Sequence, residues 1–298
     1  MEPPCFAIIA LSCYNFPRMD AVILLNKPAG ITSFDAVARC RRILHERKIG
    51  HTGTLDPNAS GLLIILTGRY TKLLPYCVCN HKHYQAQFLL GKATETEDIW
   101  GNTIEENIPS EHTQEELDEV SRSLTGFSMQ TPPMYSAIKV NGKKLYEYAR
   151  EGKIIERTPR EIYVDHLEVH RIEGNLYAMD TVVSSGTYIR TLITDYARKL
   201  NELGCMSALQ RTGIDNLSLE QAMTFEQLET DPVFLRPEDV LNPDIRLIET
   251  DMPEYVRNGR DLKLDADSEY VGILSEGQLI AVYGKRVNGY YHCERGLF

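Results

Sequence analysis

The 298-residue chain has one tryptophan, no C-x-x-C pair among its seven cysteines, and no apolar run long enough to span a bilayer. Each absence closes a class of function. Cys77 and Cys79 lie only two positions apart, so neither a zinc site nor a dithiol redox centre is expected. The odd cysteine count predicts reduced, packed thiols in a cytoplasmic protein. The apolar stretch from Cys5 to Phe16 follows "MEPP", which lacks the Lys or Arg of a signal peptide. We read residues 1–19 as a non-essential extension and expect no membrane partner. The chain also lacks a G-x-x-x-x-G-K-[ST] phosphate loop, a dinucleotide fingerprint and a metal-ligand cluster, so no cofactor and no metal are expected. Internal repeats and low-complexity tracts are missing too.

Positive charge is scarce overall, with a formal net charge of −10, but the deficit is local. Residues 94–120 hold ten acidic and no Lys or Arg side chains, and the rest of the chain balances 32 against 32. Residues 21–80 carry eight Lys/Arg against three Asp/Glu, and residues 139–160 carry seven against three. Two basic segments on a neutral background suit a groove for RNA.

The pattern along the chain predicts an α+β fold with a mixed or antiparallel central sheet and flanking helices. "AVILL" (21–25) and "LLIIL" (62–66) read as buried strands, and "YQAQFLL" alternates as a strand with one buried face. Ser33 is placed as the N-cap of a helix to about residue 46, and Thr113 with Glu116 as a capping box. Strands are expected at 161–170 and 176–183, then a helix at 188–203 stopped by Gly204. Proline-bearing loops at 231–253 separate a body (20–240) from a tail (245–298) whose short strands and Gly/Asn turns predict a small β-barrel-like domain.

Two stretches invite chemistry. In "GHTGTLDPNASG" (50–61), Pro57 biases Asp56 toward extended backbone, while Gly50, Gly53 and Gly61 permit tight geometry around a single carboxylate. Such a stretch is read as a structural turn or as a device presenting Asp56. In "SSGTYIRTL" (184–192), Gly186 ends a strand and Arg190 falls at a helix start, where a cation opposes the macrodipole. Its placement points to a carboxylate elsewhere.

With these residues in view, the chain resembles the TruB-type tRNA pseudouridine synthase family. "LLNKPAGITSFDAV" (24–37), "GHTGTLDPNASGLLIILTGRYTK" (50–72), "HYQAQFLLGKATETEDIWG" (83–101), "TPPMYSAIKVNGKKLYEYAREG" (131–152) and "SSGTYIRTL" follow the family's order. Asn58, Ser60 and Val183 depart from its usual residues, and none removes a polar group the chemistry needs. The tail resembles the family's PUA-type RNA-binding domain.

The resemblance implies isomerisation of uridine to pseudouridine in the T-loop of tRNA, without redox change or phosphate transfer. It assigns Asp56 as the catalytic carboxylate, Arg190 as its counter-cation and Tyr84 as a stacking platform near carbon-5. Tyr188 and Leu209 would flank the base. His51 would fill the gap left when the target is flipped out. Lys27, Arg41, Arg42, Lys48, Lys143 and Lys144 would meet RNA phosphates, and Asp98 would hydrogen-bond near the site or cap its own loop. The expected partner is the tRNA T-arm stem-loop, with the protein a monomer needing no protein partner. Alternatives are a guide-RNA-type synthase, a non-catalytic RNA-folding protein on the same scaffold, or a glycoside hydrolase. The last wants a second carboxylate, and none is evident beside the glycine-rich loop.

Overall fold

The computed structural model describes residues 19–298. They condense into two compact units, residues 19–79 with 217–298, and residues 80–216. The extension read at 1–19 lies outside the described residues except for Met19, and Met19 belongs to the fold. It is buried at 7% exposure, and its N–H donates to Glu46 Oε2 at 3.2 Å.

In the first unit, β1 (Val22–Lys27) leads to α1 (Ser33–Ile43), then β2 (Ile49–Thr52) and β3 (Ser60–Thr67). β3 pairs antiparallel with both β1 and β2. β1 and β3 are buried on both faces, which is why their sequences run apolar without alternation. The cap of α1 differs from expectation by one residue. Thr32 Oγ1 accepts from Asp35 N at 3.0 Å, and the Asp35 carboxylate accepts from Thr32 N at 3.0 Å. The helix also ends earlier, at Ile43, because His45 adopts φ 51°. Ala36, Val37 and Cys40 of α1, with Leu44 just past its end, join Ile23, Leu25, Leu63 and Ile65 in one core.

The second unit is built mainly of antiparallel strands, with three helices. Its strands are β4 (His81–Leu90), the small hairpin β5 (Lys92–Thr94) and β6 (Thr103–Glu106), β7 (Gly126–Gln130), the short hairpin β8 (Lys139–Val140) and β9 (Lys143–Lys144), β10 (Arg160–Glu173), β11 (Leu176–Ser184) and β12 (Gly204–Ile214). β12, β4, β11, β10 and β7 are neighbours in that order, every pair antiparallel. Its helices are α2 (Gln114–Leu124), α3 (Leu145–Arg150) and α4 (Ile189–Lys199). Thr113 and Glu116 form the expected capping box of α2. Tyr84, Ala86, Phe88 and Leu90 of β4 point inward, and Phe88 meets Tyr196 of α4 edge-on at 5.9 Å. α4 ends at Lys199, four residues short of the predicted 203, and Asn201 at φ 59° turns the chain. Gly204 is therefore no helix stop. It opens β12, where a Cβ would meet Ala197 Cβ at 2.5 Å, so the glycine permits close helix–strand packing.

The chain then returns to the first unit through β13 (Leu217–Ser218) and α5 (Phe225–Thr230). The tail comprises β14 (Arg246–Glu249), α6 (Pro253–Arg257), β15 (Leu262–Lys263), β16 (Tyr270–Ser275), β17 (Gln278–Lys285) and β18 (Tyr290–Gly296). Its strands form a five-stranded sheet with its own core, including Val271, Ile273, Tyr283 and Tyr291. β14 and β16 run parallel, the other pairs antiparallel. This small curled sheet is of the PUA-like kind. Tyr76 packs edge-on against Tyr270 at 5.2 Å, and Val78 N donates to Val240 O at 2.8 Å. Burial pushes the Cys40 and Cys77 thiols up to about 12, in keeping with packed, unreactive cysteines.

Candidate active site

The stretch that opens at Gly50 is half strand and half loop. Gly50, His51 and Thr52 pair with Leu66, Ile65 and Ile64, so the first part lies in the sheet rather than in the expected loop. The loop proper runs from Gly53 (φ 70°) to Ala59, whose N–H donates to Asp56 O at 3.1 Å and closes a turn over Pro57 and Asn58. Leu55 is buried beneath it and Asp56 is partly exposed. Two side chains of the β1–α1 region fasten this loop. Ser33 Oγ accepts from Leu55 N at 2.9 Å and donates to Leu55 O at 3.2 Å. Lys27 Nζ donates to Pro28 O at 2.9 Å, Ile31 O at 2.8 Å and Pro57 O at 3.3 Å.

Lys27 thus departs from the phosphate contact expected of it. Its side chain is fully buried, and the ammonium is engaged with backbone carbonyls under the loop. A buried ammonium is tolerable only with such partners, and here it acts as a strut. Ser33 likewise serves the loop because the cap one residue earlier releases its hydroxyl.

In the second unit, Tyr188 is the N-cap of α4 and Arg190 sits in the first turn. Arg190 is buried at 5% exposure. Its Nη1 donates to Thr96 O at 2.8 Å and its Nη2 to Tyr135 O at 3.0 Å. The Thr96 carbonyl belongs to a loop tied by its own side chains. Thr94 Oγ1 donates to Asp98 O at 2.6 Å, Thr96 Oγ1 to Asp98 Oδ1 at 2.6 Å, and Trp100 N to Asp98 Oδ1 at 3.2 Å. Of the two roles considered for Asp98, this is the loop cap.

Tyr84 is 7% exposed on β4. The register sets Arg211 opposite Tyr84 and Leu209 opposite Ala86, so Tyr84, Leu209 and Arg211 share one face of the sheet. Tyr188 is clamped at its backbone, its N–H donating to Gln130 Oε1 at 2.8 Å and its carbonyl accepting from Gln130 Nε2 at 3.1 Å. His51 is half-buried on β2. Arg42 and Lys48 are exposed and available to a polyanion. Arg41 lies 5.9 Å over the Phe34 ring, Lys143 is ion-paired with Glu151, and Lys144 stands 3.4 Å from Tyr146 Oη.

Four residues escaped the sequence reading. Gln130 holds Tyr188 from 58 positions away. Arg211 is fully buried in register with Tyr84, and its one trace is a charge on the inward face of the alternating "LQRTGI". Ser33 was read only as a cap. Glu97 sits at φ 63° and accepts from Thr191 Oγ1 at 2.6 Å. Burial pushes the Glu97 carboxyl above its ordinary range, opposed by the Thr191 bond and the Arg190 cation.

Residues 41–189 match the TruB family pseudouridylate synthase (N terminal domain). A tRNA pseudouridine synthase B of Mesoplasma florum is 36% identical over 279 residues, spanning 93% of this chain and 98% of that protein. Its counterpart in Streptococcus agalactiae is 39% identical over 288 residues, spanning 91% and 97%. Among solved structures, an H/ACA RNP bound to a substrate RNA containing 2′-deoxyuridine has a TM-score of 0.68 at 20% identity, covering 93% of this chain and 85% of that one. A Cbf5-Nop10-Gar1 complex has a TM-score of 0.68 at 22% identity, with the same coverage. These two establish a shared fold, while the near full-length relatives carry the kinship itself: the chain belongs to the TruB family of pseudouridylate synthases.

Proposed function

We propose that the chain isomerises uridine to pseudouridine in the T-loop of tRNA, with Asp56 as the catalytic carboxylate. The observation that carries this reading is the similarity, along nearly the whole of both chains, to proteins named tRNA pseudouridine synthase B. The fastening of the Asp56 loop by Ser33 and Lys27 supports it. A carboxylate needed only for a turn has no call for a buried lysine beneath it.

The reaction breaks the bond from the ribose to a ring nitrogen of uracil, turns the base, and rejoins it through carbon-5, whose proton leaves while the freed ring nitrogen takes one up. Electrons balance without an oxidant. Asp56 acts at the ribose and base, in a site dry enough that water does not capture the detached uracil. Arg190 is its counter-cation. A guanidinium carries five N–H donors in a rigid fork. The Thr96 and Tyr135 carbonyls orient that fork. Tyr84 stacks on the uracil, a contact worth about 1–3 kcal/mol. Leu209 supplies an apolar wall on the same face, and Tyr188 packs beside the base with its backbone set by Gln130.

The target base must leave its loop before Asp56 can reach it, costing a few kcal/mol of unstacking, and His51 fills the space it vacates. Exposed Arg42 and Lys48 meet phosphates, and residues 245–298 add RNA affinity as a PUA-like domain. The protein acts as a monomer in the cytoplasm. Incubating the purified protein alone with unmodified tRNA, and mapping pseudouridine at single-nucleotide resolution, tests the reading. One modified T-loop uridine is the expected result. No product on bare tRNA would overturn it.

A further inference from the structure

Trp100 is the chain's one tryptophan, and the chemistry above makes no use of it. An indole has a large apolar face and a single N–H donor, so it is ordinarily buried with a partner for that donor. Here the residue is 49% exposed, and no described residue hydrogen-bonds the indole or lays a ring or cation against it. Its backbone, by contrast, is pinned. Trp100 N donates to Asp98 Oδ1 at 3.2 Å, and Gly101 N closes the turn onto Asp98 O at 3.3 Å. A Cβ on Gly101 would collide with the Thr96 side chain, so the turn packs directly on Thr96. Thr96 O is one of the two carbonyls that hold Arg190. Ile99 N donates to Met206 O at 2.9 Å and Met206 N to Glu97 O at 3.0 Å. These two bonds fix the turn beside β12, three positions before Leu209. The indole is therefore presented on rigid backbone next to two residues of the proposed site.

We propose that Trp100 is a substrate-binding residue whose indole stacks on an unpaired base flanking the uridine that is flipped out. The proposal rests on the tRNA reading above and adds to it the residue that recognises the neighbouring nucleotide. Extruding one base breaks its stacking on both neighbours, and an exposed aromatic side chain recovers part of that loss. Rigid backbone lets it do so with little further ordering. The surrounding charge narrows what can land on the ring. Residues 94–120 hold ten acidic side chains and no Lys or Arg, which repels a phosphate but leaves the neutral face of a base unopposed. A basic polypeptide would suit the charge as well. The attachment of the turn to Arg190 and β12 favours the RNA.

With no second tryptophan to compete, intrinsic fluorescence reads the contact directly. Asp56→Asn is titrated with unmodified tRNA, and with T-arm stem-loops in which one loop nucleotide at a time is abasic. Filter retention measures binding, while emission and acrylamide quenching follow the indole. The expected result is saturable quenching by tRNA, with reduced access of acrylamide. One abasic position beside the target should abolish most of that quenching. In steady-state pseudouridine assays, Trp100→Ala should raise KM about tenfold while kcat changes less than about twofold. Trp100→Phe should recover most of the loss, and both variants should melt with the parent. RNA that is retained without quenching or shielding the indole, alongside normal wild-type turnover, would overturn the stacking and leave the function standing. An unchanged KM in Trp100→Ala would do the same. So would an indole already shielded in the free protein, as a contact between proteins produces. Absence of wild-type pseudouridine would strike the function itself, and the proposal with it.

Discussion

The loop that carries Asp56 and the loop that supports Arg190 each hold irregular backbone in place, but by opposite means. The Asp56 loop is fastened from outside, by Ser33 and Lys27 reaching across 22 and 30 positions. The 94–100 loop is fastened from within, by Thr94, Thr96 and Asp98 bonding over four positions or fewer. A locally tied loop keeps its shape as long as its own side chains are present. One tied by distant residues depends on β1 and α1 being folded first. The difference predicts that damage to the struts of the first loop registers in global stability as well as in rate. Damage to the second should stay local.

The sharpest use of the contrast leaves both fastenings intact and removes only the charge they serve. Asp56→Asn should fold with an unchanged melting temperature and still bind tRNA, yet form no detectable pseudouridine. Single-turnover assays at saturating enzyme check this. Normal turnover would sink the catalytic assignment.

Next comes the external strut. Lys27→Met keeps the volume but strips the ammonium from the carbonyls of Pro28, Ile31 and Pro57 in a fully buried place. Unsatisfied buried groups cost about 1–3 kcal/mol each, so a loss of about 3 kcal/mol or more is expected by urea unfolding. Turnover should fall on the order of a hundredfold, through misplacement of the reacting carboxylate. Retained stability would show that the lysine is no strut.

The internal tie should matter less. Asp98→Ala removes the acceptor for Thr96 Oγ1 and Trp100 N in a partly exposed loop. The expected cost is about 1 kcal/mol. The fall in kcat should be modest, because Arg190 retains the Tyr135 carbonyl. A stability loss as large as that of Lys27→Met would erase the distinction between the two loops.

What sequence could and could not show follows the same division. β1, β3, β4 and the capping box of α2 were legible because apolar runs, alternation and capping are short-range signals. The Asp56 loop stood out through its composition, and the tail through its turn spacing. The strut role of Lys27 was not legible, since a lysine after an apolar run reads as an exposed strand end. The Gln130 clamp on Tyr188 had no local mark at all. Arg211 left one charge on an inward face, a signal visible only once the strand's facing is known. The α1 cap missed by one residue because Thr32 and Ser33 are both good caps, and only the burial of Ser33 decides between them. Gly204 misled because glycine serves helix termination and close packing alike.

The smallest effect concerns Glu97, where the internally tied loop touches α4. Burial raises its carboxyl above the ordinary value of 4.5, so the folded state holds that proton more tightly than the unfolded chain does. By linkage, this group's contribution favours folding most below about 4.5 and fades as pH rises through the elevated folded value. At neutral pH the folded protein therefore carries a desolvated charge, offset by Thr191 and Arg190 but not cancelled. Glu97→Gln removes that charge and keeps an oxygen to accept from Thr191 Oγ1. The variant should equal or exceed the parent in stability at pH 7, by about 1 kcal/mol or less, and the advantage should vanish below pH 4.5. Melting curves of both proteins between pH 4 and pH 7.5 measure it. A variant less stable than the parent at neutral pH would mean that the Arg190 attraction outweighs the burial of Glu97, and that the second loop is held by charge as well as by its hydroxyls.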